Sequence, residues 1–154
     1  MIGRVLRFLR LPFLLIFLFA VARFSLGLAG VPYAPRGNAV FSVVMLSIIS
    51  CIYFGALSKK VGGFGWLGVI LIGVCIGLFS QILIFTATLI SYLAGVETYY
   101  THWDALNVPE GTRVPMGQAL ATRAGGLIGG PITTTISALI GRLLSALAPG
   151  PVDR

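Results

Sequence analysis

Charge is what this chain has least of. Only 10% of its 154 residues are charged, against about 25% in an average soluble domain, which excludes an ordinary water-soluble globule. Four residues are acidic, and none of them (Glu97, Asp104, Glu110, Asp153) falls inside an apolar run. Proton coupling through an intramembrane carboxylate therefore has no residue to work with. A single histidine, His102, cannot supply the paired axial ligands of a two-haem membrane cytochrome. Helical spacing does not bring Glu97 and Asp104 together with it, so no metal site is expected. The two cysteines, Cys51 and Cys75, lack C-x-x-C spacing and lie in apolar runs, where a thiol is a small hydrophobe. Phosphate-cradling glycine loops and dinucleotide fingerprints are missing, and no nucleophile–base pair stands out. No catalytic residue and no obligatory cofactor are expected.

What the chain has instead is apolar surface. Hydrophobic residues make up 57% of it and the mean hydropathy is +0.99, which points to a chain dissolved in lipid. The net charge of +7 is not gathered into a basic patch interleaved with aromatics, so nucleic acid is not an expected partner. The basic residues sit at the ends of apolar runs, where they meet headgroups and set orientation.

The runs predict an all-α integral membrane protein: a four-transmembrane-helix bundle in one membrane domain, with spans at 11–31, 39–57, 64–92 and 119–147. The first follows Arg4, Arg7 and Arg10, a basic stripe suited to anionic lipid at the membrane surface. Ala20-Val21-Ala22 gives this region some likeness to a cleavable secretory signal, but an uncleaved span is the expectation. Residues 31–38 form a turn punctuated by prolines, glycine and asparagine. The third span, about 43 Å if wholly helical, exceeds a hydrocarbon core of about 30 Å and predicts tilt or protrusion. Ala148-Pro149-Gly150-Pro151 ends the fourth.

Residues 95–118 form the one substantial segment between spans. Val96, Tyr99, Tyr100, Trp103 and Leu106 recur at helical spacing, which predicts an amphipathic helix at the interface with Tyr99, Tyr100 and Trp103 as contact residues. Basic Arg4–Arg10 and Lys59-Lys60 lie two spans apart, and the acids cluster in 95–118. Positive-inside then places both termini in the cytoplasm of a bacterial-type inner membrane and makes 95–118 extracytoplasmic.

Within the spans, residue 117 and every fourth residue after it is small: Gly117, Ala121, Gly125, Gly129, Thr133, Ser137, Gly141 and Ser145. A neighbouring row holds Gly126, Gly130 and Thr134, and the third span has Gly73-x-x-x-Gly77. Such rows let helix backbones approach closely, within one chain or between chains. Pro131 removes a backbone donor in mid-span and predicts a kink. Gln81 needs an interhelical partner or water. Arg23 and Arg123 lie toward one end of their spans, where they snorkel to headgroups or hold an anion such as a lipid phosphate, a quinone oxygen or an acidic residue of a partner.

No motif is specific enough to name a family. The expected role is a non-catalytic subunit, held by membrane lipids and packed against larger membrane partners. One alternative is a small homo-oligomeric channel or transporter lined by Gln81, Thr86, Thr88 and Thr133 to Thr135. Another is a bundle that binds lipid or quinone through Arg23 or Arg123.

Overall fold

The computed structural model describes residues 1–33 and 41–147, and among these every regular element is helical. Helix α1 spans Ile2–Phe8, α2 Arg10–Leu28, α3 Val43–Leu57, α4 Trp66–Leu93 and α5 Met116–Leu147, with a 3₁₀ turn at Asp104–Leu106. Three of them, α2, α4 and α5, are long and apolar enough to cross a membrane, and α3 is a shorter apolar helix. These positions follow the predicted runs closely. The start of the second span at 39, the turn over 34–38 and the Ala148–Pro151 stop lie outside the described residues.

The predicted basic stripe becomes a helix of its own, because Pro12 sets the boundary. Proline has no N–H to give the carbonyl four residues back, and its ring crowds that carbonyl. Four residues before Pro12 stands Phe8, the last residue of α1. Leu9 joins the two helices at φ −92° and ψ 9°. Within the first turn of α2 the missing donor costs nothing further. Val5 and Leu9 are fully buried, Phe8 packs edge-on to Phe54 and Phe64, and Arg4 donates to the Gly62 carbonyl at 3.1 Å.

Helix α5 packs along both α3 and α4, and glycine sets the separation. A Cβ on Gly55 would strike the carbonyl of Ala138, one on Gly141 the carbonyl of Ile52, and one on Gly73 the backbone of Thr135. Gly77 faces Pro131 and Thr134. Thr134 joins this seam as a hydrogen-bond donor, its hydroxyl 2.8 Å from the Gly73 carbonyl. Pro131 lies inside α5 without ending it.

Only part of the small-residue row meets a neighbour within this chain. Gly125 and Gly129 have nothing within 4 Å of where a Cβ would stand, and Thr133 is exposed, bonded only to its own helix at Gly129. Four residues overshoot a helical turn by about 40°, so the row winds round α5. It starts on the open face and reaches the seam at Ser137 and Gly141, both buried. The neighbouring row supplies the first contacts, with Gly126 and Gly130 against the side chain of Gln81.

The amphipathic helix expected in the 95–118 segment is not formed. Residues 96–103 run through turns, because threonine side chains take the local donors: Thr98 N–H donates to Thr101 Oγ1 at 3.1 Å and Tyr100 N–H to Thr98 Oγ1 at 3.2 Å. Such bonds compete with the helical ladder. Gly95 at φ +65° and Asn107 at φ +59° then close the short remainder at each end. Without the helix there is no outward aromatic stripe, and Tyr99 and Tyr100 are 7% and 3% exposed.

Candidate anion site at the loop end of the bundle

The bundle has two distinct ends. At one, α1, the α3–α4 loop and the last turns of α5 meet, and Arg142 donates to Ser58 Oγ at 3.3 Å with its guanidinium over Trp66. This is the basic end. At the other, the close of α2, the start of α3 and the close of α4 lie beneath residues 95–115. The backbone of Thr98 and Tyr99 lies so near Gly27 of α2 that a Cβ there would come within 2.8 Å of the Tyr99 nitrogen. Two phenol hydroxyls fasten this cover. Tyr99 donates to the carbonyl of Val31 or Pro32, at 2.8 and 3.0 Å, and Tyr100 donates to the Ala20 carbonyl at 3.1 Å. Ser91 and Thr98 share a further bond of 2.8 Å between α4 and the loop.

Under the cover lie both arginines singled out from the sequence. Arg123, seven residues into α5, sends Nη2 to the Tyr100 carbonyl at 2.9 Å and Nε to Thr88 Oγ1 of α4 at 3.3 Å. Thr88 is fully buried and passes its own proton to the Ile84 carbonyl at 2.8 Å. Arg23 donates from Nη2 to the Tyr33 hydroxyl at 3.2 Å and lies over the rings of Tyr33 and Tyr99 at 5.4 and 5.5 Å, within cation–π range. The two guanidiniums line one cavity of about 240 Å³, together with Tyr33, Tyr100 and the first residues of α3.

The groups whose charge acts on Arg123 are Tyr100, Tyr33, Tyr92 and a second cation, Arg23; no carboxylate is among them. Burial pushes the Tyr100 phenol up to about 12, with both arginines pulling the other way. The Tyr100 phenol is therefore a neutral donor and acceptor at physiological pH. Beside them His102 stacks on Tyr33 at 4.1 Å with the rings 9° from parallel, and its Nδ1 accepts from the Asp104 N–H at 3.2 Å. Burial lowers the pKa of this imidazole, with Asp104 opposing the shift.

A second, larger cavity of about 410 Å³ lies on the other side of the cover and carries both signs of charge, with Glu97 and Arg113 among its lining residues. Trp103 lines this cavity, and Leu106 is buried beside Val114 and Ala119. Among the described residues no three His, Cys, Asp or Glu side chains stand close enough to hold a metal ion.

The residues nominated for a polar path do not converge within the chain. Thr86 and Thr133 are exposed on different helices, Thr88 is enclosed in the arginine site, and Thr134 is committed to the α4–α5 seam. Arg23 and Arg123, read separately from the sequence, belong to one site. Its aromatic partners were missed. Tyr33 stood in a predicted turn, and Tyr99 and Tyr100 were given to the membrane surface. The one signal in the sequence is that three tyrosines and both intramembrane arginines occur next to the same ends of predicted spans. Comparison with protein-family models, curated proteins and solved structures finds no match to this chain.

Proposed function

We propose that the chain is a four-span membrane bundle that holds an anionic group between Arg23 and Arg123 at its extracytoplasmic end. In this reading α3 completes the set of spans, and both termini lie in the cytoplasm of a bacterial-type inner membrane. The basic end carries Arg4, Lys59, Lys60 and Arg142 and matches the cytoplasmic face by the positive-inside rule. The loop end, with Glu97, Asp104 and Glu110, faces outward. The observation that carries the assignment is the shared cavity: two guanidiniums sunk below helix ends, with no carboxylate acting on Arg123. Half-buried charges without a counter-ion are costly, and an anion supplied from the bilayer removes that cost. A lipid headgroup is the most abundant source of one there, and a quinone oxygen would use the same donors.

Native mass spectrometry of the protein extracted in mild detergent tests this. Wild type is expected to retain an anionic lipid or quinone that Arg123→Gln loses. Wild type free of any such molecule, or equal retention by Arg123→Gln, would refute the assignment. Arg123→Lys separates charge from shape, since an ammonium keeps the charge but lacks the planar fork.

A second role is favoured by the open face of α5. Gly125, Gly129 and Thr133 form a small-residue track beside the exposed Ile128 and Ile132, a surface suited to another transmembrane helix. Here the chain is a non-catalytic subunit of a larger membrane complex, or a homo-oligomer if the partner is its own copy. Gly129→Leu should then strip partner chains while leaving the monomer folded, because nothing in this chain touches position 129.

A further inference from the structure

We infer that the Arg23–Arg123 cavity selects a doubly charged phosphate monoester over a singly charged phosphate diester. The inference rests on the anion-site assignment above and gives the class of its ligand. Three positive features meet at the cavity. Two are the guanidiniums. The third is the start of α3, whose residues Ser42, Val43 and Val44 line it. The first N–H groups of a helix have no acceptor within that helix, and its dipole places about half a positive charge there. None of the described residues that line the cavity is acidic.

A diester phosphate brings one negative charge and leaves one guanidinium unmatched in a half-buried position. A monoester, close to two negative charges at neutral pH, matches both. The donors suit three terminal oxygens as well. Arg123 spends Nε and one Nη2 proton on Thr88 and Tyr100, and Arg23 spends one on Tyr33. Each guanidinium has five N–H groups, so most remain for a ligand. Ser42 caps α3 by accepting from Met45 N–H at 3.3 Å, which leaves its hydroxyl proton to donate. The phenol proton of Tyr100 is committed to α2 and that of Tyr99 to the carbonyls just past its end. About 240 Å³ far exceeds the roughly 10–15 Å³ that one water needs. A phosphate head therefore fits with its ester oxygen leading out.

Two sources carry this chemistry: a monoester lipid such as phosphatidic acid, and free phosphate. The experiment is a native mass titration of the full chain in dodecyl maltoside. Dioleoylphosphatidic acid is compared with dioleoylphosphatidylglycerol and neutral dioleoylphosphatidylcholine. Phosphatidic acid should bind about tenfold more tightly than phosphatidylglycerol, or better, the worth of one additional hydrogen bond between charged partners. Millimolar inorganic phosphate that displaces it marks free phosphate as the natural source; failure to displace it marks the lipid. Arg123 also ties α5 to Thr88 and Tyr100, so Arg23→Gln, which removes one hydrogen bond to Tyr33 and the contacts with two tyrosine rings, is the deciding variant and should bring the two anionic lipids level. If Arg23→Gln unfolds, Arg23→Lys decides instead: it keeps the charge and must keep the preference. Equal binding of both anionic lipids above phosphatidylcholine overturns the monoester inference alone, as does a preference that survives Arg23→Gln. No anionic lipid above phosphatidylcholine overturns the anion site with it.

Discussion

Two glycines on one helix, Gly129 and Gly141, should answer oppositely to the same small change. Gly129 and Gly141 are twelve residues apart on α5, about 18 Å at a helical rise. Replacing glycine by alanine in a helix gains about 1 kcal/mol because the backbone loses less freedom on folding. At Gly129 nothing lies within 4 Å of the new methyl, so Gly129→Ala keeps the whole gain. At Gly141 the methyl would meet the Ile52 carbonyl, with the carbonyl carbon at 2.7 Å and Cα at 2.8 Å. These are backbone atoms, and no rotamer change can clear them. Helix α3 must retreat, and because backbone rather than a flexible side chain has to move, the cost falls in the upper part of the range typical of overpacking, about 2–3 kcal/mol. The expected net for Gly141→Ala is thus a loss of about 1–2 kcal/mol. In a chain of this length that is a fall of roughly 2–8 °C in melting temperature, against a rise of roughly 2–4 °C for Gly129→Ala. Thermal unfolding of the three proteins in one detergent, followed by circular dichroism, measures both. A Gly141→Ala protein as stable as wild type would refute the close α3–α5 contact, and a Gly129→Ala protein destabilised as a monomer would refute the open face.

Three further outcomes follow from named contacts. Thr134→Val removes the hydroxyl that reaches Gly73 across the α4–α5 seam and should cost about 0.6–1.7 kcal/mol, the measured range for such bonds in membranes; an unchanged melting temperature would show the bond contributes nothing. His102 has its pKa held below the ordinary 6.5 by burial, so the unfolded chain takes up a proton where the fold does not. Stability is therefore complete above about pH 6.5 and falls as the pH drops toward the folded value. Melting curves between about pH 8 and about pH 5 should show this decline in wild type and a shallower one in His102→Gln, and parallel curves would refute it. For topology, single cysteines at Lys60 and Glu110 in a Cys51→Ala, Cys75→Ala background should react oppositely with an impermeant reagent on intact cells, Glu110→Cys labelled and Lys60→Cys not. Labelling at Lys60→Cys would invert the assignment.

The helices were legible because hydrophobic run length is a strong signal: the run at 64–92 became α4 at Trp66–Leu93. Their facing was not. A lipid-solvated helix is apolar all round, so hydrophobic periodicity could not show which small-residue row of α5 would meet α4. That choice depends on where Gly55, Gly73 and Gly77 lie on other helices. The 96–107 segment was misread for a related reason. Its aromatic spacing is helical, but Thr98 and Thr101 offer the backbone closer partners, and the tyrosines find carbonyls on α2 and just past its end. For the candidate site, the two cations were visible one at a time. Their meeting was not, since a hundred residues separate Arg23 from Arg123 and only the folded bundle closes that gap.

The two tyrosine ties have a mechanical consequence for α2. A helix in lipid can in principle slide along its axis or spin about it, and neighbours of similar apolar surface resist this weakly. Here Tyr100 grips the Ala20 carbonyl while Tyr99 grips the carbonyls just past the helix end. A shift by one residue moves α2 by about 1.5 Å and turns it by about 100°. That single step would break both grips and swing Arg23 away from Arg123. The cover over the cavity therefore works as an indexing pin: α2 has one register with the site assembled, and the pin must lift before the helix can move.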